Sequence, residues 1–252
     1  TDRVLSAARQ RGQQLVTYGF AEHCDVVLET TGPADKPQHS FGQVQLTGRP
    51  GGPADGLAIS LALPAPGQHV AADLAAAFLA VSLGAGFGAA AVAEALTGFR
   101  GTGRRFELIG EVDQIRVIDD YGHHPTELRA LLQAARQVTK GRLLLLFQPA
   151  HYTRTAAFSS QFASALAGAD HSVLLDVHSD RETPIAGVDG ALIARQCPAD
   201  QVVYMPDRAA AVAHLVAMAR PGDLIITAGS GDVGALAPDL VAGLQQRKRA
   251  GQ

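Results

Sequence analysis

The sequence has 252 residues and a formal net charge of -3, which is enough chain for one large or two smaller domains. No lysine or arginine run interrupts the body of the chain, so neither nucleic acid nor a membrane surface is expected as a partner. The two cysteines, Cys24 and Cys197, lack any C-x-x-C spacing, which argues against a disulfide framework or a zinc site and fits a reducing, cytoplasmic setting.

The first hundred residues predict a β-meander followed by two helices. After a helix expected over 1–14, short β-prone segments lie at 15–18, 26–29, 41–46 and 57–63. An alanine-rich run over 71–83 carries Leu74, Phe78 and Val81 at helical spacing, and a second helix is expected over 88–97.

Beyond Gly98 the pattern changes to strand, turn and helix in alternation. The predicted strands are 116–118, 143–147, 173–177, 202–205 and 224–228. They are apolar on both faces, which is typical of a parallel sheet covered on each side, so the fold class is α/β. Pro125 is expected in a first helical turn, and Thr155, Asp207 and Asp232 are expected as helix caps.

Polar clusters follow the predicted strands, at the edge where open parallel sheets bind ligands. DDYGHHP at 119–125 combines two carboxylates, a phenol and two imidazoles before a helix, whose N-terminus favours anions. The alternative is that these side chains only cap the helix. QPAHYTRT at 148–155 adds an arginine that could hold a carboxylate or phosphate, or could simply lie on the surface beside a capping threonine.

Two further clusters carry weaker signals. HSDRETP at 178–184 has no third ligand at metal spacing, so no metal site is predicted. GSGD at 229–232 is not a G-x-G-x-x-G turn, and close packing of strand against helix explains it equally well. The chain has neither a G-x-x-x-x-G-K-[ST] P-loop nor a G-x-S-x-G nucleophile elbow.

Three ordered segments resemble the Mur ligase family: FRGTGRRFELIGE at 99–111, DDYGHHPTE at 119–127 and FQPAHYTRT at 147–155. They are most similar to the members that join L-alanine to UDP-N-acetylmuramate in peptidoglycan synthesis. The resemblance implies a Rossmann-like C-terminal domain at 102–252. It also implies that residues 1–101 are the end of a central ATP-binding domain. We therefore expect a piece of a longer ligase, with its N-terminal and P-loop segments upstream of Thr1.

The resemblance also implies a reaction and a set of site residues. ATP with Mg2+ would phosphorylate the carboxylate of UDP-N-acetylmuramate, and the amine of L-alanine would attack the acyl phosphate. Tyr121, His123 and Arg154 are expected on a common rim that faces a partner domain across a hinge near Arg104. The implied cofactor-binding residues are His69, Asp73, Arg104, Asp119 and Asp120; the substrate-binding residues are Tyr121, His123, His124, His151 and Arg154; and Arg104, His123 and Arg154 are expected to be catalytic.

The sequence departs from the family pattern at two places. Val70 and Asp73 stand where the family usually has the asparagines of H-N-x-x-N, and Ala150-His151 stands where it usually has His-Arg. A non-catalytic nucleotide-binding module is therefore an alternative, and the isolated chain is expected not to ligate. Two further alternatives are the related ligase for recycled tripeptide and, by fold analogy alone, a dinucleotide-dependent oxidoreductase.

Overall fold

Two separate sheets organise the chain, and each belongs to its own unit, Thr1–Arg100 or Gly101–Gln252. The computed structural model describes residues 2–32 and 41–251. Among these residues, no helix is both long and apolar enough to span a lipid bilayer.

The first unit begins with helix α1 (Asp2–Gln10), which falls within the helix predicted over 1–14. Residue 1 of that prediction lies outside the described residues. Its four-stranded sheet has the order β1-β2-β3-β4. These strands are β1 (Tyr18–Gly19), β2 (Val26–Thr31), β3 (Gln43–Gly48) and β4 (Ala58–Ala62). Strands β2 to β4 form the predicted antiparallel meander.

The predicted antiparallel pairing of the first strand of the meander is wrong. Strand β1 pairs with β2 in parallel, with Tyr18 opposite Val26. A polar anchor beside this pairing explains the arrangement. The Asp25 carboxylate accepts hydrogen bonds from the backbone N–H and the hydroxyl of Thr17, at 2.8 and 2.7 Å. Because these bonds hold the residues just before each strand together, both strands start from the same end.

Both helices predicted after the meander are present. Helix α2 spans Gln68–Leu79 and continues into a π-helical turn over Ala80–Gly84, and α3 spans Ala89–Leu96. The side chains of Leu74 and Phe78 on α2 are buried with those of β2 and β3 in one apolar cluster. This cluster covers one face of the first unit's sheet.

The second unit contains a six-stranded sheet of order β5-β6-β10-β7-β8-β9. Its strands are β5 (Glu107–Val112), β6 (Ile115–Asp120), β7 (Leu143–Phe147), β8 (His171–Leu174), β9 (Val202–Tyr204) and β10 (Leu224–Ala228). Its helices are α4 (Pro125–Val138), α5 (Tyr152–Leu166), α6 (Gly190–Ala194), α7 (Arg208–Met218) and α8 (Ala237–Ala250). Strands β6 to β10 pair in parallel, which confirms the predicted α/β class.

Strand β5 was not predicted. It pairs antiparallel with β6 through a tight turn at Asp113 and Gln114, both of which have positive φ. A two-residue hairpin of this kind usually carries Asn-Gly or Asp-Gly. Asp113-Gln114 lacks the glycine, so the turn gave no clear sequence signal.

Two of the four predicted helix starts are wrong. Pro125 opens α4 and Asp207 caps α7, as predicted. Thr155 lies inside α5, which begins three residues earlier, and its hydroxyl donates to the carbonyl of His151 at 2.9 Å. Asp232 begins a short 3-10 helix over Asp232–Leu236, and its carboxylate accepts a hydrogen bond from Arg208 rather than capping the turn.

Candidate functional site

The carboxyl ends of three adjacent strands lie level at one edge of the second sheet. Asp120 on β6 and Phe147 on β7 both pair with Ala228 on β10. The next residues continue this contact, because Gly229 N–H donates to Asp120 and Gln148 N–H donates to Ala228, at 3.1 and 3.0 Å. The polar segments predicted from the sequence therefore leave the sheet side by side.

Arg104 ties the segment before β5 to this edge. Its Nε donates to Asp119 Oδ2 at 2.8 Å, and its Nη2 and Nη1 donate to the carbonyls of Gly229 and Gly231 at 2.8 and 3.2 Å. Asp119 is 3% exposed, and its second oxygen accepts from the hydroxyl of Thr227 at 2.7 Å. All three side-chain nitrogens of Arg104 thus donate within the unit, so the structure does not present this arginine as a free cation.

Asp120 holds the same segment through backbone groups. Its carboxylate accepts from Phe106 N–H at 2.9 Å and from Gly122 N–H at 2.7 Å, while Tyr121 N–H donates to the carbonyl of Arg104 at 2.7 Å. Arg104 and Phe106 both have positive φ, an uncommon conformation for residues other than glycine. The structure therefore engages Asp119 and Asp120 inside the unit rather than exposing them to a nucleotide.

Tyr121 lies between cationic and aromatic groups at the exposed rim. The guanidinium carbons of Arg104 and Arg105 lie 5.0 and 5.4 Å from its ring centre, and the His123 ring packs edge-on at 5.4 Å. Arg105 is exposed, and it is not among the site residues predicted from the sequence. The adjacent arginines Arg104 and Arg105 indicate a cationic site in the sequence, but the sequence does not show which guanidinium points outward.

The N-terminus of α4 is filled by a side chain of the helix itself. Glu127 Oε2 accepts from the backbone N–H groups of His123 and His124 at 2.9 and 3.0 Å, and His124 Nδ1 accepts from Thr126 N–H at 3.3 Å. Burial opposes ionisation of Glu127, but these backbone hydrogen bonds outweigh it and lower its pKa. His124 is therefore a capping residue, as the structural alternative from the sequence proposed.

The start of α5 is joined to the loop that follows β8. His151, with φ of 66°, donates its backbone N–H to the carbonyl of His178 at 2.9 Å, and its Nδ1 lies 3.3 Å from Ser179 Oγ. The Glu182 carboxylate accepts from both the N–H and the hydroxyl of Thr153, at 3.0 and 2.6 Å. This carboxylate supplies a cap that α5 does not obtain from His151.

Arg154, in the first turn of α5, has a buried nitrogen without a partner. Its Nη1 has no hydrogen-bond acceptor within the part of the chain that the structure describes. Helix α5 also contacts α4, where the rings of Phe158 and His124 lie 5.1 Å apart. The structure therefore brings the helices that carry His124 and Arg154 into contact beside the strand ends.

The remaining predicted cofactor residues lie in the first unit. His69 and Asp73 are exposed and one helical turn apart on α2, so they share a helix face. Within residues 2–32 and 41–251, no three His, Cys, Asp or Glu side chains are grouped so as to hold a metal ion.

The fold and the edge cluster define a Rossmann-like α/β domain with a polar rim at the carboxyl ends of its central strands. Residues 104–231 match the family model described as "Mur ligase, glutamate ligase domain". The chain belongs to the Mur ligase family, as the sequence resemblance predicted.

Two relatives named UDP-N-acetylmuramate–L-alanine ligase illustrate the similarity. The relative from Mycobacterium marinum is 41% identical over 243 residues, which cover 94% of this chain and 48% of that protein. The relative from Kineococcus radiotolerans is 43% identical over 244 residues, which cover 95% and 49%. The chain thus spans about half the length of the curated relatives it matches.

Solved structures have the same fold. A UDP-N-acetylmuramate–alanine ligase from Thermotoga maritima superposes with a TM-score of 0.70 at 24% identity, covering 92% of this chain and 48% of its own. A MurF ligase from the same organism, solved with ADP, gives 0.71 at 15% identity, covering 98% and 52%. At these identities the likeness concerns the fold alone.

Proposed function

We propose that the complete protein containing this chain joins L-alanine to UDP-N-acetylmuramate with ATP and Mg2+, a step in peptidoglycan synthesis. The support is membership of the Mur ligase family together with the names of relatives that are 41% and 43% identical. In this proposal residues 102–252 form the C-terminal domain. Residues 1–101 complete a central domain whose P-loop lies in the upstream half. A cytoplasmic location follows from the use of ATP.

The buried, unpaired Nη1 of Arg154 is the observation that carries the proposal within this chain. Leaving a buried charged donor unpaired is costly, so the half-buried Arg154 side chain gains a partner if it reorients toward an anionic acceptor that a ligand brings. A guanidinium matches the two oxygens of a carboxylate. We infer that Arg154 binds the carboxylate of L-alanine, with Tyr121 and His123 on the same rim beside the amino group.

The residue that we propose to contact the ATP phosphates differs from the one expected from the sequence. Because Arg104 is held by Asp119 and two carbonyls, we propose that Arg105, which is exposed, contacts the ATP phosphates instead. Asp119 and Asp120 then act by holding the 104–106 segment in place. His69 and Asp73 remain proposed contacts for the adenine side, and the magnesium ligands would come from the upstream half and the phosphates.

The non-catalytic nucleotide-binding module remains a second candidate. The observation that favours it is the set of departures at Val70, Asp73, Ala150 and His151. Calorimetry of the complete protein with ATP and Mg2+ addresses binding, and release of ADP that depends on both acceptor substrates addresses catalysis. Nucleotide binding without such release would favour the module.

The variant Arg154→Ala tests the ligase proposal in the complete protein. We expect the KM for L-alanine to rise about 30- to 150-fold, because a charge-assisted hydrogen bond pair contributes roughly 2–3 kcal/mol. Arg129→Ala, which removes an exposed arginine from α4, should leave this KM unchanged. The proposal fails if the wild-type protein releases no ADP in response to L-alanine and UDP-N-acetylmuramate, or if the Arg154 variant matches it.

A further inference from the structure

We propose that Glu182 and Ser179, on the loop after β8, are positioning residues for the amino-acid side of this site. They hold the first turn of α5, which carries Arg154, in the orientation that binds the substrate carboxylate. This inference rests on the proposed ligase function, and both residues lie outside the segments 99–111, 119–127 and 147–155 that carry the family resemblance.

The first turn of α5 has weak support of its own. It begins after His151, a residue with φ of 66° and no side-chain cap, and the helix is interrupted at Phe158, where φ is -119° and ψ is 17°. Left-handed backbone at a residue other than glycine is costly and persists only where its surroundings enforce it. Residues 152–157 therefore form a short helical segment between an unfavourable start and a kink.

The loop after β8 supplies the missing support through side chains. Glu182 binds Thr153 through both oxygens, and Ser179 Oγ lies 3.3 Å from His151 Nδ1. The same Oγ accepts from Glu182 N–H at 3.0 Å, so the two loop residues are also joined to each other. Together these contacts fix both the start of α5 and the turn that approaches it.

Glu182 performs this role while remaining at the surface. Hydrogen bonds from the hydroxyl and then the N–H of Thr153 lower its pKa, so the carboxylate stays ionised and keeps both acceptors at neutral pH. A carboxylate at a helix N-terminus also interacts favourably with the helix dipole. Arg154 follows Thr153 directly, so a displacement of Thr153 moves the guanidinium with it.

Steady-state kinetics of the complete ligase test the inference. In Glu182→Ala we expect the KM for L-alanine to rise about tenfold, with kcat and the KM values for ATP and UDP-N-acetylmuramate within twofold of wild type. Glu182→Gln keeps an acceptor and should give a smaller rise. Thr153→Ser keeps the hydroxyl and should behave like wild type. Thr153→Val loses the hydroxyl but keeps the backbone N–H that donates to Glu182, so it should give a smaller rise than Glu182→Ala. Adding Thr153→Val to Glu182→Ala should change little further, because Glu182→Ala has already removed the acceptor of the Thr153 hydroxyl.

Glu111→Ala is the matched control, because it removes an exposed carboxylate from β5, at the opposite side of the sheet order from β8 and β9. An unchanged KM for L-alanine in Glu182→Ala and Ser179→Ala overturns the inference. A uniform loss in all kinetic constants that accompanies a fall in Tm also overturns it. If Glu182→Ala does not fold, the KM for L-alanine of Glu182→Gln is the test. An inactive wild-type protein refutes the proposed function, whereas an active one with insensitive variants refutes only the positioning role.

Discussion

At the scale of single residues, two adjacent arginines have opposite roles. The side chain of Arg104 contacts the buried carboxylate of Asp119. Arg105, by contrast, is exposed beside the ring of Tyr121. Gly234 makes the Arg104 contact possible, because a Cβ there would lie 2.7 Å from Asp119 Oδ2 and 2.8 Å from Arg104 Nε. The same residue type therefore acts as an internal tie at one position and as a solvent-exposed cation at the next.

We expect Arg104→Ala to lower the free energy of unfolding by about 2–4 kcal/mol, because it leaves the buried Asp119 carboxylate without its cation. Arg105→Ala should cost less than about 1 kcal/mol, since it removes a surface cation–π contact and a solvent-screened attraction to Glu127. Urea denaturation of the two variants measures the difference. Equal losses would contradict the assignment of Arg104 as the internal tie.

At the scale of elements, the ends of the helices are set by contacts from elsewhere as much as by their own sequence. Glu127 closes α4 from within, whereas α5 takes its cap from Glu182, which is 29 residues beyond Thr153. Helix α6 starts at Gly190, which packs against the end of β8 and against Tyr204 of β9 in the same unit. A Cβ at Gly190 would lie 2.2 Å from the Leu175 carbonyl oxygen and 2.9 Å from Tyr204 Cε2.

Gly190→Ala is therefore expected to destabilise the second unit by about 2–3 kcal/mol, because the backbone carbonyl of Leu175 cannot move aside without disturbing the sheet. Gly103→Ala is the matched control, since its Cβ would meet only the flexible end of Glu107 at 3.6 Å. Thermal unfolding of both variants provides the measurement. A Gly190→Ala protein as stable as the control would show that α6 packs less closely.

At the scale of the whole molecule, each unit contains a buried apolar cluster of its own. The buried apolar cluster of the first unit runs from Val26 to Val92, and that of the second runs from Val112 to Leu244. The two clusters share no residue. Each sheet is likewise formed by strands from one unit.

We expect residues 101–252 to fold without the first unit, because a six-stranded sheet and a large buried apolar cluster are formed within this range. Amide NMR spectra of this piece should superpose on the matching signals of the whole chain, and its thermal unfolding should be a single cooperative transition. Collapsed or broadened spectra would contradict the independence of the unit. The chain 1–252 under the same conditions is the reference.

The sequence by itself determined the parallel sheet and the identity of the polar segments at its edge. Strands such as Leu143–Phe147 are apolar on both faces, and that pattern is local, so it can be read without knowing the partners. The ordered segments at 99–111, 119–127 and 147–155 likewise identified the family before any geometry was known.

Only the tertiary structure decided how these segments contact one another. Four features depend on contacts beyond the local sequence: the direction of β1, the pairing of β5, the hydrogen bond from Arg104 to the buried Asp119, and the support of α5 by Glu182. Periodicity and capping patterns describe interactions within a few residues, whereas these contacts arise when separate strands end at a common edge. The physical reason for the division is that local propensity selects the elements, and packing selects their partners.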